Sequence, residues 1–188
     1  LGCGAGHYFR SMKGQDMSGM DIVLHQILPG FAHTPHAAPI GGGEAEPEFF
    51  HYALAKLCAP DAHLDPAKHS RAMCELFGAY GWGEGTPVMK WLVDHLLVRG
   101  VNHFVPHAFS PGFPNPDCPP HFGSGGRDPQ FEGFSILMQY INRASHLLSG
   151  GIHHADAAIL YHAEGEWMNR DQYMKSQVPA KALYDAHI

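Results

Sequence analysis

Basic side chains are scarce in this sequence: Lys and Arg number 12 in 188 residues, against 18 Asp and Glu. A net charge of −6 offers no footing for a phosphate-tracking surface, so nucleic acid is not an expected partner. Long apolar runs are missing as well. None approaches the roughly 20 residues that a bilayer-spanning helix needs, and no membrane partner is expected. Cysteine is sparse and scattered: Cys3, Cys58, Cys74 and Cys118 form no CxxC pair. That spacing argues against a disulfide framework and leans towards a reducing compartment such as the cytoplasm.

Two further absences narrow the chemistry. Gly41-Gly42-Gly43 lacks the Lys-Ser/Thr that completes a phosphate-binding loop, so a flexible loop is the expectation there. Histidine is abundant, at 16 residues, yet no HxH or HExxH pattern gathers it into a metal site. His103 and His107 share one side of an expected strand, and with His25 they define an alternative, a metal-dependent barrel hydrolase.

What is present is an alternation of strand and helix patterns. Met20–Ile27 (MDIVLHQI) is a short apolar, β-branched run that predicts a buried strand. Pro47 opens a helix whose Phe50, Ala53, Leu54 and Leu57 share a face, with Pro60 as its expected end. Arg71–Phe77 is the second strand. Thr86 as N-cap, Pro87, and Met89, Leu92, Val93 and Leu96 at helical spacing predict the next helix, with Gly100 as its stop. Val101–His107 is the third strand, followed by a Pro- and Gly-rich loop and a helix from Phe131 to Leu148. Asp156–Tyr161 (DAAILY) is a fourth strand and Asp171–Tyr184 a last helix. Strict alternation means α/β architecture with parallel strands and right-handed crossovers. A closed (β/α)8 TIM barrel takes about 250 residues, so the choice lies between a small open sheet and part of a larger barrel.

Chemistry in such folds gathers at the carboxyl ends of the strands. There the sequence offers His25 and Gln26, then Glu75 with Tyr80 and Trp82, then His107. Glu75 stands out, because a carboxylate amid Ala72, Met73, Cys74, Leu76 and Phe77 is costly to bury without purpose. A carboxylate beside aromatic rings is what glycosidic cleavage requires, the rings covering the C–H faces of the sugar. The bland alternative is a structural ion pair with Arg71 or Lys90.

The stretch CELFGAYGWGEGTPVMKWLVDHLLVRGVNHFVPHAFSP, Cys74–Pro111, resembles the catalytic barrel of glycoside hydrolase family 106, the α-L-rhamnosidase-like enzymes. PPHFGSGGRDPQFEGFSILMQYINRASHLLSGG, Pro119–Gly151, looks like its continuation, and the likeness spans roughly residues 17–167. A more distant likeness is to family 42 β-galactosidases, in which the seventh barrel strand ends in a catalytic Glu. The resemblance implies that the three strands are the sixth to eighth of a TIM barrel. Residues 1–151 would be the C-terminal portion of the catalytic domain, and 152–188 the start of a flavodoxin-like α/β domain. It implies a carbohydrate substrate and a glycosidase with Glu75 as catalytic base or nucleophile. His25, Gln26, Tyr80, Trp82 and His107 would bind the sugar. The partner carboxylate is expected on the fourth barrel strand, upstream of Leu1. Calcium near the sugar is implied, with no ligands assigned. A non-catalytic carbohydrate-binding barrel is a further alternative. As an isolated polypeptide, an open three-strand arc is expected neither to fold stably nor to catalyse.

Overall fold

The computed structural model describes residues 6–34, 36–37, 44–45, 47–168 and 176–188. A short helix α1 (Tyr8–Met12) leads into strand β1 (Ser18–Ile22), and the two-residue strands β2 (His36–Ala37) and β3 (Glu44–Ala45) pair antiparallel. A π-helical stretch, Phe49–Leu54, continues directly into α2 (Ala55–Leu64). Then come β4 (Ala72–Leu76), α3 (Thr86–Leu97) and β5 (His103–Pro106). Short strands β6 (Phe109–Ser110) and β7 (Phe122–Gly123) flank the Pro-rich loop, and α4 (Phe131–Ser149), α5 (Ala163–Met168) and α6 (Gln177–Asp185) follow.

The organising unit is a parallel sheet in the order β1-β4-β5, so strands consecutive in the alternation are neighbours in space. Period-2 alternation separates its faces. Ser18, Met20 and Ile22 of β1, with Ala72, Cys74 and Leu76 of β4, are buried; Gly19, Asp21, Met73 and Glu75 point the other way and are more exposed. The buried face belongs to the same core as Leu57, Cys58 and Ala62 of α2 and Met89, Leu92, Val93 and Leu96 of α3. The opposite face carries the row Asp21, Glu75, Val105, fixed by the strand register, and Val105 is exposed.

Helix α3 stops as its sequence dictates. Gly100 takes φ +95°, its N–H bonds to Leu97 O, and Val101 N–H reaches back to Leu96 O, which is a Schellman ending. A Cβ on Gly100 would lie 2.9 Å from that of Ala59, so the same glycine lets the end of α3 approach α2. At the same end of the sheet, Lys68 is wholly buried. Its Nζ donates to Met12 O and Gln15 O at 2.6 and 2.8 Å and sits 3.6 Å from Asp61, which also accepts from Ser18 Oγ. This clamp closes the amino-terminal rim around a paired charge.

Several expectations change in detail. The first strand covers Ser18–Ile22, so His25 and Gln26 lie in the turn after it. Pro60 does not end α2, which runs on to Leu64; Leu57, Cys58, Ala59 and Ala62 are buried on both sides of it, and that packing offsets one missing backbone bond. Gly85, not Thr86, occupies the N-cap of α3. Asp156–Tyr161 is no strand: it is irregular and mostly exposed, with no pairing partner among the described residues. Its Tyr161 ring packs edge-on against His7 and Phe9 instead, and the segment borders a cleft beside α2. The expected last helix is present as Gln177–Asp185; residues 171–175, where it was to begin, lie outside the described residues, as do Gly41-Gly42-Gly43.

Candidate active site at the carboxyl rim of the sheet

Because β1, β4 and β5 are parallel, the segments that follow them emerge at one rim. Backbone bonds tie these segments together: Leu24 N–H donates to Gly78 O, His107 N–H to Leu76 O, Ala79 N–H to Cys118 O and Gly81 N–H to Pro119 O. They meet at Gly78, where a Cβ would stand 3.2 Å from both the His107 ring and the Val23 side chain. Leu24, His25, Phe77 and Ala79 all hold positive φ, at 58°, 57°, 78° and 60°. Such conformations cost free energy in non-glycine residues and concentrate where a surrounding framework enforces a functional geometry.

Glu75 lies near the carboxyl end of β4, half-buried, on the face that α2 and α3 do not cover. Its carboxylate makes no hydrogen bond or ion pair among the described residues. Both structural partners proposed for it are engaged elsewhere. Arg71 donates to the carbonyls of Lys68 and Asp16, and Lys90 pairs with Asp94 at 2.5 Å. Asp21 is its in-register neighbour on β1. Sequence reasoning passed over Asp21; the signal was the strand alternation itself, which puts residues 19 and 21 opposite the buried Ser18, Met20 and Ile22.

The other expected site residues divide into two sets. His25 bonds Tyr80 O through Nε2 at 3.2 Å, and Gln26 Oε1 accepts from Val23 N–H within its own turn. Tyr80 is buried, its hydroxyl donating to Ile27 O at 2.8 Å and accepting from Ile27 N–H. In this arrangement Tyr80 is a tie between the first two rim segments, not an open aromatic platform. Trp82 and His107 form the second set. Trp82 is 37 % exposed and meets Phe113 edge-to-face, with ring centres 5.5 Å apart. The His107 ring packs 5.2 Å from His121, and its Nδ1 is buried with no partner among the described residues.

Glu84, between Gly83 and Gly85, is buried with both carboxyl oxygens unpartnered among the described residues, and burial pushes its pKa up to about 8. No protein-family model, curated protein or solved structure matches this chain.

Among the described residues, no group of three or more His, Cys, Asp or Glu side chains is placed to hold a metal ion. His103 turns its Nδ1 to Asn102 Oδ1 at 2.9 Å, as His25 turns to Tyr80. The calcium implied by the resemblance finds no such side-chain set either, so no chemical step is assigned to it. A cleft of about 530 Å³ lies elsewhere, bordered by Leu57, Leu64, Val98, His153, Ile159 and Leu183. It is lined mainly by apolar side chains and does not include Glu75, so volume and chemistry part company here. The rim is the better candidate because it carries the unpaired carboxylate and the enforced backbone.

Proposed function

We propose that this chain supplies a catalytic carboxylate of a glycoside hydrolase acting on terminal sugars, with α-L-rhamnosides as the first substrates to test. The observation that carries the reading is Glu75: an unpaired carboxylate on the uncovered face of a parallel sheet, near the carboxyl rim. Consecutive parallel strands whose helices share one core face suit an arc of a (β/α)8 barrel, in which the other face becomes the interior. In that arc β1, β4 and β5 are the sixth to eighth strands. Parallel strands lie about 4.8 Å apart, so Asp21 sits beside Glu75 and offers sugar hydroxyls a second acceptor. Trp82 covers an apolar sugar face, and His107 packs against Gly78 at the same rim.

Glu75 then serves as base or nucleophile, and a second carboxyl across the glycosidic bond acts as acid. The test is Glu75→Gln in the full-length protein, assayed on aryl α-L-rhamnosides. Positioned acid–base groups contribute about 10²–10⁴-fold, and the variant is expected to lose at least that much turnover with its thermal midpoint unchanged. Wild-type turnover in the variant removes Glu75 from the chemistry.

A further inference from the structure

The Pro-rich loop between β6 and β7 holds a second constellation that the sugar-cleaving reading does not use. Ser110 Oγ lies 2.5 Å from His121 Nδ1, and His121 Nε2 contacts the backbone carbonyl of Asp117. A carbonyl oxygen only accepts, so the Nε2 side of the ring carries the hydrogen. The neutral imidazole therefore presents the Nδ1 lone pair to the Ser110 hydroxyl, which donates to it. Nucleophile, base and orienting group thus stand in the sequence that activates a serine. Asn115 Nδ2 is 3.5 Å from the same Oγ, an amide donor beside the atom where attack would begin.

Ser110 and His121 are 5 % and 4 % exposed. The His121 ring also lies 5.2 Å from that of His107 and 6.1 Å from that of Trp82, while residues 111–117 are exposed except for the half-buried Asn115. Burial this deep restricts attack at Oγ to small acyl groups.

We propose that Ser110 is an acyl-accepting nucleophile with His121 as its base, acting on esters of short carboxylic acids. Oγ bonds to the ester carbonyl carbon as its proton moves to Nδ1, and the carbonyl electron pair passes to the oxygen, which Asn115 Nδ2 stabilises. Collapse expels the alcohol, which takes the proton from Nδ1. Water then attacks the acyl-serine, gives its proton to Nδ1, and Oγ recovers that proton as the carboxylic acid leaves.

The test treats the full chain with a fluorophosphonate probe and maps the adduct by peptide mass spectrometry. A single adduct on Ser110 is expected, absent from urea-unfolded protein, absent from Ser110→Ala, and formed at least about 100-fold more slowly in His121→Asn. No adduct on Ser110 in the folded wild-type protein overturns the proposal. So does labelling at the wild-type rate in folded His121→Asn, which would reduce the Ser110–His121 contact to a loop clasp.

Discussion

Glu84 illustrates what a single residue imposes on the whole chain. Folded, its carboxyl keeps its proton to about pH 8, because burial without partners penalises the anion; its ordinary value is 4.5. Between those values the folded state binds more protons than the unfolded one, so this residue's contribution makes stability fall as pH rises. The slope approaches about 1.4 kcal/mol per pH unit for one proton. Glu84→Gln removes the titration. Urea unfolding should find the variant no more stable than wild type at pH 4. By pH 7 its advantage should reach about 2–3 kcal/mol. Equal gain at both values would mean that the carboxyl is solvated in the folded protein. The sequence singled out Glu75 by its apolar neighbours and gave no such signal for Glu84, which stands among glycines. What separates them is that one is enclosed by the rim segments while the other lies on an uncovered sheet face, and that depends on contacts far apart in the chain.

At the scale of elements, local rules carried a long way. Helix α3 was readable because its apolar spacing, Pro87 and Gly100 all agree, and α4 because Phe134, Leu137 and Ile141 recur on one face. The strand Ala72–Leu76 followed from its position between two helical patterns. The Asp156–Tyr161 run shows where local reading stops. Six residues of strand-like composition became an irregular, mostly exposed segment anchored by Tyr161 at α1, because a strand exists only where another backbone offers hydrogen bonds. Pro60 failed as a helix stop for the complementary reason that tertiary packing outweighed a local cost. Gly100 concentrates both kinds of constraint. Gly100→Ala must place a Cβ at positive φ and within 2.9 Å of Ala59. The conformational cost is about 1–2 kcal/mol and overpacking adds about 1–3. A loss of about 2–4 kcal/mol in denaturant unfolding is the expected outcome. A loss under about 0.5 kcal/mol would mean that α2 and α3 separate freely.

For the whole molecule, the parallel sheet is the unit that decides behaviour. Its residues follow from sequence, its neighbours do not: alternation announces parallel strands but leaves open what lies on their second face. Among the described residues no helix covers the face bearing Asp21, Glu75 and Val105, and the outer edges of β1 and β5 have no strand partner. Leu64, Val98, Ile159 and Ile188 add exposed apolar surface around the cleft beside α2. Unpaired parallel edges and an open face favour association with other backbone. The 188-residue chain, purified alone, is therefore expected to sediment as concentration-dependent oligomers and to unfold over a broad range. Joined to the upstream barrel strands that the proposed function requires, it should be monodisperse with one sharp transition. A monomeric 188-residue chain with a cooperative transition would show that its own elements suffice. The barrel-arc reading would then lose its physical ground, because a self-sufficient open sheet has no need of an enclosed interior for Glu75 to face.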